Sequence, residues 1–188
     1  LALIAALSFF PSESKSQLTL EQGQTERTWD KAKDAYEKNQ FALAMNVFEE
    51  YISNSNDPNS DRHVEAHYLA SICALNLYHK DAEYRIDAFI TKYPESLYVQ
   101  DALWAIADHH YKRRHFKKSA AAFDRVNLRK LPKDKQRELR FKRGHSLFEE
   151  ENYEKARYDL FEVMKKPGAF LEHSTYYFSH IAYINNKP

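Results

Sequence analysis

The sequence predicts an all-α fold assembled from tandem pairs of antiparallel helices, and three observations carry that prediction. The 188 residues include only three Gly, while Ala, Leu, Glu, Lys and Tyr abound, a composition suited to helix interiors. Small residues recur at Ala32, Ala70, Ala107, Gly144 and Ser179, separated by 38, 37, 37 and 35 residues. Breakers fall between the units so defined, at Ser55-Asn56-Asp57-Pro58, Tyr93-Pro94, Leu131-Pro132 and Pro167-Gly168.

Taken in chain order, residues 1–10 form an apolar block followed by Pro11 and a small polar stretch ending Ser14-Lys15-Ser16-Gln17. The block shows no helical alternation and resembles the h-region and cleavage site of a secretory signal peptide, so 1–16 is expected to be a signal remnant and 17–24 a linker. The alternative is an apolar N-terminal helix docked on the fold. The repeats then occupy about 25–58, 63–95, 100–131 and 137–168, with a final first helix at 172–185. Nine residues after each of the first four small residues stands a ring: Phe41, His79, Phe116 and Tyr153. Twelve after stands a second small residue (Ala44, Ala82, Ser119, Ala156), and sixteen after a large apolar one (Phe48, Ile86, Phe123, Leu160). Tyr51, Phe89, Val126 and Val163 follow at nineteen. Spacings of four, then three, lay these side chains on one buried face of each second helix.

The run from Gly144 through Tyr153 to Ala156 carries small residue, aromatic and alanine in an order that resembles the tetratricopeptide repeat (TPR). The likeness covers about residues 25–185, four units and a half. The unit spacing is slightly long, and His79 replaces the expected aromatic. The segment Phe89-Ile-Thr-Lys-Tyr-Pro-Glu-Ser-Leu-Tyr-Val-Gln-Asp-Ala102 further resembles junctions of bacterial envelope repeat proteins of the Bam lipoprotein D and Tol–Pal coordinator type. The resemblance implies a right-handed superhelical solenoid of antiparallel helix pairs whose first helices line a concave groove for a protein or peptide. It also implies a non-enzymatic scaffold in the bacterial envelope, in the periplasm. A cytoplasmic adaptor or chaperone-docking module of the same fold is the alternative.

Offsets of −3, +1 and +4 from each small residue fall on one stripe of a first helix. They select Trp29, Lys33 and Tyr36 in the first unit, His67 in the second, Trp104, Asp108 and Tyr111 in the third, Phe141, His145 and Phe148 in the fourth, and Tyr176, His180 and Tyr183 in the fifth. The expectation is a ladder of rings with polar rungs that takes a partner, although rings at this spacing also pack between neighbouring helices.

The formal net charge of +1 conceals a polar molecule: Lys112 to Arg143 carries fourteen Lys and Arg against Asp124, Asp134 and Glu138, a balance of +11, leaving −10 elsewhere. Lys112, Arg113, Arg114, Lys117, Lys118, Arg140 and Arg143 form a candidate basic patch for an anionic partner, or else ordinary solvated faces partly neutralised by neighbours. Nucleic acid fits an exported chain poorly.

Chemistry-bearing constellations are sparse. One cysteine excludes an internal disulfide framework, three glycines exclude the glycine-rich nucleotide loops, and no run approaches the roughly 18 apolar residues of a membrane span. His63-Val-Glu-Ala-His67 and the His109, His110, His115 cluster lack the zinc-protease order and a complete ligand set, so no metal or cofactor is expected. Cys73 is expected to pack as a small apolar side chain, with His67 and His109 the only conceivable bases. The final helix has no second helix behind it, and Phe178, Ile181 and Ile184 would leave apolar surface on a terminal unit: either this helix is the cap, or more repeats follow, and an exposed end would show as self-association.

Overall fold

A computed structural model describes residues 13–185, with side chains from residue 23 onward. The apolar block at 1–10 lies outside the described residues. Among those described, every regular element is helical: α1 (Glu13–Glu37), α2 (Phe41–Asn54), α3 (Asp61–Asn76), α4 (Ala82–Lys92), α5 (Val99–Lys112), α6 (Phe116–Arg125), a 3₁₀ turn at Leu128–Lys130, α7 (Lys133–Glu149), α8 (Tyr153–Met164) and α9 (Leu171–Asn185). The segment expected as a linker, 17–24, instead belongs to α1. None of these helices is long and apolar enough to cross a membrane.

The chain divides into two compact units, residues 1–73 and 74–188. In the first, α1 contributes Trp29, Ala32 and Ala35 to a core completed by Val47 and Phe48 of α2 and by Ala66 and Cys73 of α3. Ion pairs tie α1 to α3 at its rim, Lys33 to Glu65 at 2.9 Å and Arg62 to Glu26 at 2.6 Å. In the second unit consecutive helices pack on one another from α4 to α9, and α7 also touches α9. One of its apolar clusters holds Ala120, Phe141, Leu147, Ala156, Leu160, Val163 and Ile181.

The second-helix stripe forms the core in both units. Phe48, Ile86, Phe123 and Leu160 are all fully buried, and Ala44, Ala82, Ser119 and Ala156 lie beneath them. Small residues on the first helices let these side chains in. At Gly144 the approach is so close that a Cβ would meet Leu160 Cγ at 3.1 Å and Asp159 Cβ at 3.2 Å. Ser179, the fifth member of the series, is exposed.

One turn is built four times. Each first helix ends on a non-glycine residue of positive φ: Asn39 (57°), Tyr78 (54°), Arg114 (59°) and Glu151 (58°). The amide of each donates to a carbonyl three residues back (Tyr36, Leu75, Tyr111, Phe148), and the next amide donates five back (Ala35, Ala74, His110, Leu147). This paired pattern is the Schellman helix ending, which satisfies carbonyls the helix would leave orphaned. It corrects the alignment of the second unit. There Ser71, not Ala70, stands seven residues before the turn, as Ala32, Ala107 and Gly144 do before theirs, and His79 lies in the turn rather than opening the second helix. The ring of His79 meets Asp81, which also holds Arg85 at 2.9 Å.

Left-handed backbone costs an L-residue roughly 1–2 kcal/mol, whereas glycine adopts it freely and gives back part of that gain as chain entropy. Glu151→Gly should therefore raise the free energy of urea unfolding by about 0.5–1 kcal/mol, and Asn39→Gly by less because asparagine tolerates this conformation.

Candidate interaction face

The first helices of the second unit, α5, α7 and α9, bring a continuous series of rings together. It begins at Trp104, whose edge meets Phe123 with centroids 5.6 Å apart. The Nζ of Lys135 sits 4.4 Å from the Trp104 centroid. Lys142 Nζ lies between the Trp104 and Tyr111 rings, 5.7 and 5.6 Å from their centroids, distances suited to cation–π attraction. The same ammonium donates to Asp108 at 2.5 Å and Glu138 at 2.6 Å, and Asp108 also pairs with Lys112 at 2.8 Å. Burial raises Asp108, but hydrogen bonds from Lys112 and Lys142 outweigh it and hold its carboxyl below the ordinary value.

His145 joins three helices. The Tyr111 hydroxyl donates to its Nδ1 at 2.8 Å in the tautomer whose Nε2–H points to Glu149 Oε1, 3.2 Å away. Its ring stacks on Phe141 (6.0 Å, 7°) and lies 4.6 Å from Tyr177. Burial pushes the Tyr111 phenol up to about 12. Beyond His145 the series continues through Phe148, 5.0 Å from Tyr177 and 5.4 Å from His180. It ends at Tyr176, 6.1 Å from His180 and 64% exposed. His180 and Tyr183 are exposed with it.

Not every ring expected on this face is available. Phe141 is 7% exposed and stacks on Phe170 at 4.7 Å, so it belongs to the core between α7 and α9. In the first unit, Trp29 packs against Phe48 and Tyr51 at 5.9 and 5.3 Å, and Tyr36 against Phe41 and Phe48 at 5.9 and 6.4 Å. Lys33 is paired with Glu65, and His67 lies 4.9 Å from His63. For Trp29 and Tyr36 the physical reason is that the −3 and +4 positions of α1 turn toward α2, where they pack on Phe41, Phe48 and Tyr51.

Two residues central to the face, Lys142 and Tyr177, stand two before the small residue. That position lies about 60° around the helix from the +1 rung, so a face wider than one stripe admits it.

The basic segment does not present one surface. Arg140 and Arg143 turn inward to Asp159 at 3.2 and 2.6 Å, Arg143 also reaches Asp124 at 2.9 Å, and Lys118 pairs with Glu83 at 2.9 Å. Arg113 lies 5.8 Å over Tyr78 and Arg114 5.8 Å over Phe116. Lys117 meets no acid among the described residues. Elsewhere, Cys73 is fully buried and burial pushes its thiol up to about 12, which keeps it protonated and unreactive. Among the described residues no three His, Cys, Asp or Glu side chains gather as a metal site.

His109, His110 and His145 are all held below the ordinary histidine value, in each case chiefly by burial. Glu83 pulls His109 and His110 upward and Glu149 does the same for His145, while Arg113 opposes at His109 and Arg114 and His173 at His145. A lowered folded value means that the unfolded chain binds more protons once pH falls below about 6.5. Their contribution to stability is complete above that pH and is lost progressively below it. The urea midpoint should fall between pH 7 and pH 5, and His145→Gln should flatten part of that fall.

Compared with known proteins, the chain matches no family model, no curated protein and no solved structure.

Proposed function

We propose that the protein is a non-enzymatic interaction scaffold of the tetratricopeptide kind, its helix pairs stacked as a superhelical solenoid and its α5, α7 and α9 face presented to a peptide or protein partner. The observation that carries this reading is the series from Trp104, bridged by Lys142 to Tyr111, and on through His145, Tyr177 and Phe148 to exposed Tyr176 and His180. Tyrosine, tryptophan and histidine offer large apolar area with polar tips at little entropic cost, the composition of energetic contact centres. The fourfold Schellman turn supports the repeat, since a conserved turn geometry sets successive pairs at similar angles. An envelope location, by the N-terminal block and the Tyr93-Pro94 junction, completes the proposal.

The test is selection from a displayed peptide library on the full chain. Selected peptides should lose at least tenfold in affinity for the Tyr176→Ala, His180→Ala double variant while far-UV circular dichroism stays unchanged. No selected sequence, or undiminished binding by the variant, would overturn the assignment of this face. Fractionation of the expressed protein tests the location, and uncleaved cytosolic product would argue for the adaptor reading.

A further inference from the structure

Helix α8 carries an exposed stripe that no other second helix has. Glu154, Tyr158, Phe161 and Lys165 follow one another at i, i+4, i+7 and i+11, and all four are exposed, Tyr158 by 59% and Phe161 by 49%. Aligned on Ala44, Ala82, Ser119 and Ala156, the position of Phe161 is occupied by Glu49, Asp87 and Asp124 in the other three units. Asp87 and Asp124 spend their charge on later helices, pairing with Arg125 of α6 at 3.0 Å and Arg143 of α7 at 2.9 Å. Phe161 replaces that ionic link with a ring, 6.0 Å from Phe178 of α9. Arg157, Tyr158, Phe161, Phe178 and Glu154 together line a shallow depression.

The stripe is complementary to itself. Reversed end for end about a point between Asp159 and Leu160, Tyr158 faces Phe161 and Glu154 faces Lys165. We propose that α8 pairs antiparallel with α8 of a second copy of this chain about a two-fold axis, each Tyr158 ring seated in the depression beside Phe161 and Phe178 of the other copy. Such a contact is isologous, so every pairing occurs twice. Two apolar ring pairs form the centre and charged pairs the rim, which gives register and orientation. The existing contacts are ones the pairing can exchange: Lys165, which caps α8, pairs with Glu162, an interaction worth little in water, and lies 5.3 Å over the Phe161 ring, while Arg140 lies 5.5 Å over Tyr158. A stripe about 16 Å long buries less than a standard interface, so a dissociation constant on the order of 10–100 μM is expected.

Sedimentation equilibrium of the full chain tests the proposal. The wild-type chain should pass from monomer to dimer and no further as concentration rises. Phe161→Asp, which restores the acid of the other units, should remove association. Glu154→Lys and Lys165→Glu should each raise the dissociation constant at least fivefold, and the double charge exchange should recover most of the loss, since each new lysine then meets a new glutamate. Far-UV circular dichroism of each variant checks that the helices persist. A strict monomer at about 500 μM, growth beyond dimer, or a double exchange no better than its parents would overturn the two-fold pairing of α8.

Discussion

Asp159→Ala should cost about 3–5 kcal/mol of unfolding free energy, more than any other single charge removal in the second unit. The carboxylate is 2% exposed and accepts from Arg143 at 2.6 and 2.8 Å and from Arg140 at 3.2 Å. Hydrogen bonding and attraction from Asp159 hold the Arg143 guanidinium above its ordinary value. Removing the acid strands two cations whose side chains are each 19% exposed, so water recovers part of their solvation and the lower end of the range is expected. The site also sets the fit of α7 on α8, because Asp159 Cβ lies where a side chain at Gly144 would begin. Asp124→Ala supplies the control. That carboxylate contacts the same arginine from 59% exposure, and its loss should cost less than about 1 kcal/mol. Equal losses in urea unfolding for the two variants would show that the burial of Asp159 carries no energetic weight.

Asp159 also marks the boundary of what the sequence discloses. Its equivalents in the other second helices are Val47, Arg85 and Ala122, so no repeat register announces a buried acid there, and on a helical wheel it reads as one more charged residue. The apolar stripe was legible because Phe48, Ile86, Phe123 and Leu160 recur with large side chains, and burial of a periodic apolar face requires no partner to be known. The turns were less so. A Schellman ending is normally announced by glycine, and here Asn39, Tyr78, Arg114 and Glu151 adopt its left-handed conformation. That substitution concealed the one-residue offset in the second unit. Charge gave the poorest guide: the +11 segment proved to be a mixture of inward arginines, cations paired across helices and a few solvated side chains, a distinction made only by tertiary contact.

The candidate face depended on a similar distinction, and Phe141→Ala against Tyr176→Ala separates its two halves. Both residues stand three before a small residue on a first helix. In α7 that position is overlaid by the chain that follows: Phe170 stacks on Phe141 at 4.7 Å and 14°, with His173 6.0 Å away. In α9 the same position leaves Tyr176 64% exposed. Truncating a buried phenylalanine removes its transfer free energy and leaves a cavity, so Phe141→Ala should lose about 3–5 kcal/mol in urea unfolding. Tyr176→Ala should stay within about 0.5 kcal/mol of wild type while weakening peptide capture. Trp104 lies between these extremes, its edge against Phe123 and its face covered by Lys135 and Lys142. If Phe141→Ala left stability within about 1 kcal/mol and abolished peptide binding, the ring would be a contact residue after all. The stack on Phe170 would then have to open when a partner arrives, and Phe141 would join the face.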